Sequence, residues 1–323
     1  MVFSIFDFSL FLLKIDYRIF YKYSNILYWF GIFLLILTKL LGSNIGGGTR
    51  WIVFGPISFQ TTEVIKLFII IMIGSRLENF NGNVNNIKNL INLILYLALP
   101  ILFVFAQPDF GMSIVISFMV FCMIFISGLD MKIILSTIML IVISLLLFWN
   151  IGIIKDYQKD RVLSFMNQSG DTSGQGYHLS QSLTSIGSGG VLGNRPSIKN
   201  DGKSSYAGYN VPEVQTDFIF AAIGEQFGLL GALTLLSAYG TMLFNMIKIS
   251  KNSKDIFGST VSVGIIAYFL LAILQNIGMT IGITPISGIT LPLVSYGGSS
   301  LLTTILSIGI VLNIGMRKEP LRF

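Results

Sequence analysis

The sequence predicts an all-α protein: a polytopic transmembrane helix bundle with one large extracellular loop. Three observations predict it. Charged residues make up 11% of the 323 positions, less than half the roughly 25% of ordinary soluble domains. Hydrophobic residues reach 53% and the mean hydropathy is +0.77. Apolar runs of about 20 residues, the length a helix needs to cross a bilayer, recur from one end of the chain to the other. This composition excludes a soluble fold. Residues 1–323 read as a single transmembrane domain, with the loop at 151–216 lying within it.

In order, the spanning runs fall near 24–42, 58–76, 88–106, 110–127, 131–150, 217–247, 257–279 and 290–316. A further run, 2–13, is too short to cross by itself. It carries no basic n-region and no cleavage site, so it is no signal peptide. The run 217–247 is longer than a crossing requires, which predicts tilt or extension beyond the bilayer.

Orientation follows from Lys and Arg, which gather in cytoplasmic loops. Placing 14–23 inside puts Lys14, Arg18, Lys22, Arg76, Lys88, Lys132, Lys248, Lys251, Lys254, Arg317, Lys318 and Arg322 on the cytoplasmic side by alternation. The short outer loops 43–57, 107–109 and 280–289 then hold only Arg50. The long connection 151–216 falls outside, where loops of its length escape the charge rule. Such a loop in a compact bundle is functional or disordered. Its stretch Asn200-Asp-Gly-Lys-Ser-Ser-Tyr206 reads as mobile.

Several chemistries drop out. One cysteine, Cys122, and one histidine, His178, allow neither an internal disulfide nor a Cys/His zinc site. Cys122 reads as a small packing residue, and His178 as a solvated loop residue with substrate contact as the alternative. Gly46-Gly-Gly48 and Gly187-Ser-Gly-Gly190 read as external turns, so neither serves as an ATP site.

The candidate chemistry sits on ionisable residues at membrane edges or inside spans, which are costly to keep and mark functional sites. Val211-Pro-Glu-Val-Gln-Thr-Asp217 through Gly228 carries three carboxylates from the polar loop into an apolar helix. Asp217 has two compatible readings. One is an acidic residue in a first helical turn, stabilised by free N–H groups and the dipole. The other is a general base at the outer surface. Glu225, eight residues on, lies roughly 12 Å down the helix, too deep to share a reacting atom with Asp217. It needs a partner or a proton, so a structural network is one reading and a channel or substrate contact the other. Glu63 and Lys66 share a helix face and can pair, as a structural ion pair or as the lining of a polar path.

Arg50, beside the interfacial Trp51, is a candidate phosphate contact, and Arg161 is a second. Gln107-Pro-Asp109 is a tight outer turn, with substrate contact the alternative for Gln107 and Asp109. Pro292-Leu-Val-Ser295-Tyr296-Gly-Gly-Ser-Ser300 brings small residues and breakers to the outer end of the last span. Close helix packing is one reading, and groove lining by Ser295 and Tyr296 the other.

These pieces resemble, in order and spacing, the SEDS family of bacterial membrane glycosyltransferases (RodA, FtsW and SpoVE). The resemblance is carried by Gly48-Thr-Arg50-Trp, Gln60-Thr-Thr-Glu63-Val-Ile-Lys66, Gln107-Pro-Asp109, Ser188-Gly-Gly190, the Asp217 segment and Leu291-Pro-Leu-Val-Ser295-Tyr-Gly-Gly298. It covers essentially the whole chain. Ile15-Asp-Tyr-Arg18 and Asn276-Ile-Gly-Met279 look more like RodA than FtsW. The resemblance implies a multi-pass protein of the bacterial cytoplasmic membrane with both termini inside. It implies peptidoglycan glycosyltransferase activity in cell-wall elongation and shape maintenance: a glycan moves from undecaprenyl pyrophosphate onto the 4-hydroxyl of lipid II with inversion. Asp217 is then the general base. Arg50, Arg161 or a divalent cation (Mg or Mn) offsets pyrophosphate charge, and no organic cofactor is involved. Implied partners are lipid II, a class B penicillin-binding transpeptidase and other elongation-complex membrane proteins, with no nucleic acid.

Two departures stand out. Thr61-Thr62 replaces the family's usual Pro-Ser, and residues 2–13 resemble the end of its second span, so the first helix and part of the second are expected to be missing. Two other functions fit the same composition. One is a lipid II flippase that uses buried Glu63, Lys66 and Glu225; the other is a non-enzymatic scaffold of the wall-synthesis complex.

Overall fold

The computed structural model describes residues 13–45, 48–54, 57–107, 109–137, 139, 175–194 and 206–317. Most of the expected span 131–150, much of the loop 151–216 including Arg161 and residues 200–205, and the short run 2–13 with the reading of a missing first helix lie outside those residues. The described chain falls into two compact units. The first is formed by 1–129, 241–272 and 296–323, and the second by 130–240 and 273–295.

The first unit opens with α1 (Arg18–Lys22) and α2 (Ser24–Leu41). Where the sequence suggested an outer loop at 43–57, the chain builds a three-stranded antiparallel sheet of β1 (Ser43–Ile45), β2 (Gly48–Phe54) and β3 (Ile57–Gln60), in the order β1-β2-β3. Trp51 pairs with Gln60 and Ile52 with Phe59. The alternation of β-branched and aromatic residues here is a strand signal that the apolar run into the next span obscured. The Ser299 hydroxyl accepts from the Gln60 amide at 3.1 Å, which fixes where the following helix begins.

That helix, α3 (Thr61–Asn79), is the centre of the unit, buried along most of its length. It carries Glu63, Lys66, Arg76 and Glu78 and packs against α2, α4 (Ile87–Ala106), α5 (Phe110–Ile126) and α10 (Gly298–Met316). Gly31 of α2 lets the two backbones close up, since a Cβ there would lie 2.2 Å from Ile65 Cδ1. At the C-terminal end of α2, Lys39 donates to the Ala106 carbonyl at 2.5 Å.

The second unit holds α6 (Gln175–Gly189), α7 (Tyr206–Asn210), the first part of α8 (Ile219–Lys251), the end of α9 (Ile256–Thr280) and the non-helical segment 281–295. Ser188-Gly189, expected in an external turn, instead closes α6, and Gly190 at φ +54 ends it. The last span, expected from 290, is helical only from Gly298, because Pro292 and the glycines that follow break the helix.

Helix α8 is interrupted at Gly228, whose φ of 63° and ψ of −162° no helix contains. Breaking a helix inside a membrane strands backbone groups unless something re-pairs them. Here residues 190–194 do so. The amides of Leu229 and Leu230 donate to the carbonyls of Gly190 and Val191 at 3.0 and 3.2 Å, and the Asn194 amide donates to the Glu225 carbonyl at 2.7 Å. The approach is backbone on backbone: a Cβ on Gly189 would stand 2.0 Å from the Gly224 carbonyl oxygen.

Among the described residues five helices are long and apolar enough to cross a membrane: α2, α4, α8, α9 and α10. Helix α5 is shorter at 17 residues.

Candidate active site

Asp217 lies in a run of turns just before α8, two residues ahead of its first helical residue. The turn is gathered around one carbonyl: the amides of Thr216, Asp217 and Phe218 all donate to Glu213 O, at 3.1, 3.1 and 3.2 Å. Glu213 adopts φ +51, the left-handed conformation that such a tight turn demands. Phe218 is buried in a small apolar cluster with Ala207 and Val211, while the Asp217 side chain beside it stays partly exposed. The apolar residue anchors the turn and leaves the carboxylate at its rim, two residues ahead of the helix start.

Two side chains from further along the chain reach this turn. Asn276, fully buried, donates through Nδ2 to the carbonyls of Asp217 (2.9 Å) and Ile289 (2.8 Å). The Ser295 hydroxyl donates to the Thr216 carbonyl at 2.6 Å and accepts from the Leu291 amide at 2.8 Å. Gly288, at φ +71, passes so close that a Cβ built there would lie 3.3 Å from Asp217 Oδ2. His178, expected in solvent, stands half-buried on α6 with its ring 6.1 Å from that of Phe218.

Glu225 is buried in the same unit. Its Oε2 accepts from the Ala207 amide at 2.7 Å and the Ser185 hydroxyl at 3.0 Å. These bonds tie α6 and α7 to α8 and give the buried carboxylate the partners it requires.

In the first unit, Lys66 is wholly buried and its Nζ lies 2.5 Å from Glu63 Oε2. The Thr303 hydroxyl donates to the same oxygen at 3.0 Å, and the ammonium sits 3.6 Å from the centre of the Tyr268 ring. A buried ion pair is tolerable when further hydrogen bonds and a cation–π contact complete it.

The outer-loop candidates group nearby on the same unit. Asp109 caps α5 through the Met112 amide and receives the Thr62 hydroxyl at 3.4 Å, with Arg50 Nη1 3.8 Å from its Oδ1. Burial pushes the Asp109 carboxyl above the usual carboxylate range, against the lowering effect of Arg50. At 3.8 Å the Arg50 contact is an ion pair without a hydrogen bond, and among the described residues Arg50 Nε has no hydrogen-bond partner. Gln107 is buried, its amide donating to the Leu35 carbonyl at 3.0 Å. Tyr296 is 77% exposed. Arg161 lies outside the described residues.

Thus Asp217 and Ser295 are brought together in the second unit with Glu225, while Glu63, Lys66, Arg50, Gln107, Asp109 and Tyr296 belong to the first. Among the described residues no three His, Cys, Asp or Glu side chains gather as metal ligands. Sequence reasoning missed Glu213, Asn276 and Gly288 as parts of the Asp217 setting. A polar Asn276 inside an apolar span was the available signal.

A helical chain of this kind, with paired charges sealed inside one unit and a carboxylate at the rim of a turn in the other, has the build of a multi-pass membrane protein. The profile of the FtsW/RodA/SpoVE family, described as "Cell cycle protein", matches residues 2–319. The "Probable peptidoglycan glycosyltransferase FtsW" of Coxiella burnetii is 32% identical over 312 residues, covering 95% of this chain and 82% of its own. "Peptidoglycan glycosyltransferase MrdB" of Escherichia coli is 32% identical over 308 residues, with coverage of 95% and 82%. A chain from a structure of a peptidoglycan synthase complex that coordinates polymerization and crosslinking superposes with a TM-score of 0.82 at 26% identity, over 97% of this chain and 87% of that one. This chain belongs to the FtsW/RodA/SpoVE family, and it is a multi-pass membrane protein.

Proposed function

We propose that the chain is a peptidoglycan glycosyltransferase that polymerises lipid II, with Asp217 as its general base. Membership of a family whose curated relatives carry that activity supports the reaction. The observation that carries the residue assignment is the presentation of Asp217: a partly exposed carboxylate on a turn whose backbone is bonded from three sides. In this reading the 4-hydroxyl of lipid II attacks the anomeric carbon of the growing glycan. The bond to undecaprenyl pyrophosphate breaks with its electron pair, and the hydroxyl proton passes to Asp217, with inversion. Arg50 and Arg161 are candidate anion contacts, and a divalent cation carried in on the pyrophosphate oxygens is another source of positive charge. A class B transpeptidase is the proposed partner. The RodA-like segments Ile15–Arg18 and Asn276–Met279 support a role in elongation.

The test uses Asp217→Asn, which still caps a helix start but cannot take a proton. Purified protein and partner in vesicles are given lipid II, and glycan strands and lipid II translocation are measured side by side. Loss of strands with translocation unchanged supports the base. Strands at the parent rate end the assignment. The cytoplasmic and outer sides are tested separately in a Cys122→Ala background: Ser180→Cys should label from outside intact cells, and Ser253→Cys should not.

A further inference from the structure

We infer that Asn276 and Ser295 are positioning residues for Asp217, clamping the two peptide planes that meet at its Cα. The inference rests on Asp217 being the base. A peptide unit is planar, so the direction of the Thr216 carbonyl fixes the plane entering Asp217, and that of the Asp217 carbonyl fixes the plane leaving it. Ser295 holds the first at 2.6 Å and Asn276 holds the second at 2.9 Å. With both planes held, φ and ψ of Asp217 are set, and with them the direction in which its side chain leaves the backbone.

Neither bond is incidental. In a regular helix start the Asp217 carbonyl would accept from the Ala221 amide, but that amide donates to Phe218 instead at 3.0 Å. The carbonyl takes its partner from Asn276. Both amide hydrogens of Asn276 Nδ2 are committed, to Asp217 and to Ile289, and among the described residues its buried Oδ1 has no hydrogen-bond partner. Reversing the amide would set an acceptor against two carbonyls, so this orientation is forced. Ser295 has one proton, given to Thr216, and it accepts the Leu291 amide. Its hydroxyl is therefore engaged with the turn rather than presented to a substrate.

The other ends of the clamp, Ile289 O and Leu291 N, lie one and three residues after Gly288, whose backbone passes beside the carboxylate. The same two side chains thus set the carboxylate and the backbone facing it. Gly288 adds space: a side chain there would crowd Oδ2, in a conformation that L residues resist.

The experiment compares Asn276→Ala, Ser295→Ala and Ser295→Thr, with Asp217→Asn alongside, in purified complexes polymerising lipid II. For each, kcat and KM are measured per folded molecule, with thermal stability recorded on the same preparation. Misplacing a reacting group by about 1 Å costs on the order of 100-fold. The alanine variants are therefore expected to lose roughly 10- to 100-fold in kcat, with KM changing by less than about 3-fold. Ser295→Thr, which keeps the hydroxyl, is expected to restore most of the rate. If both alanine variants turn over at the parent kcat per folded molecule, or if Ser295→Thr is as impaired as Ser295→Ala, the positioning role is overturned. Should Asn276→Ala fail to fold, the Ser295 pair decides alone. An active Asp217→Asn enzyme would sink the base and the clamp together. An inactive one beside fully active alanine variants sinks the clamp only.

Discussion

The Glu63–Lys66 pair on α3 and the Asp217 turn ahead of α8 both keep charge at or in a membrane, by opposite means. Lys66 is sealed, with a carboxylate, a hydroxyl-bearing neighbour and a ring completing its surroundings. At Asp217 the backbone is bonded from several directions while the carboxylate stays at a partly exposed rim. A sealed pair offers little to a substrate. A held backbone leaves the partly exposed carboxylate in a fixed place at the surface of its unit. The contrast separates the polymerase reading, which needs Asp217, from the flippase reading, which needs the buried charges.

The largest effect expected is on rate. Asp217→Asn should lower polymerisation by roughly 10²- to 10⁴-fold, the span of general-base contributions, while its thermal midpoint stays with the parent. A shared loss of rate and midpoint would make Asp217 look like Lys66 and erase the contrast. Next is Lys66→Met, which leaves Glu63 buried and unpaired. Breaking one half of a buried pair costs about 3–5 kcal/mol, read as lower thermal stability and membrane yield. If Lys66→Met folds normally yet stops translocation, the sealed pair serves a path and the contrast fails from the other side.

Smaller is Glu225→Gln, which keeps an acceptor for Ala207 and Ser185 but removes the charge. A hydrogen bond to a charged group is worth about 1.5–3 kcal/mol against about 1 for a neutral one, so a loss of roughly 1–2 kcal/mol in stability is expected, with kcat per folded molecule preserved. Smallest is Tyr17→Phe in the first unit, where the hydroxyl donates to Asp255 at 2.6 Å beside the Arg18–Asp255 ion pair. One hydrogen bond of this kind contributes about 1 kcal/mol. Denaturation of the purified variant should show that loss with no change in polymerisation.

Much of this was legible in the residues. Apolar runs located α2, α4, α5, α9 and most of α8 to within a few residues, because a bilayer imposes length and composition directly. The three-spacing of Glu63 and Lys66 on a helix announced their contact. The sheet at 43–60 was hidden, since a half-apolar hairpin running into a span carries no break in hydrophobicity. The kink at Gly228 was hidden for a related reason: its cause lies in residues 190–194, and no local pattern reports which distant backbone will approach. Ser295 was read as a packing or groove-lining residue, and only the fold shows its proton spent on Thr216. Asn276 was read for family likeness rather than for its two carbonyl partners, which lie 59 and 13 positions away along the chain.

The stitching of α8 by residues 190–194 also has a meaning for synthesis. The segment that supplies the missing hydrogen bonds leaves the ribosome before Gly228 does, so the acceptors at Gly190 and Val191 already exist when the amides of Leu229 and Leu230 emerge. The second half of α8 can be threaded into the bilayer as an ordinary helix. The break at Gly228 then matures by docking onto a template laid down earlier, rather than by local folding. A chain ending at Lys251 and released from the ribosome into vesicles should already crosslink through Val191 and Leu230, both changed to Cys; if they join only in the finished protein, docking waits for α9.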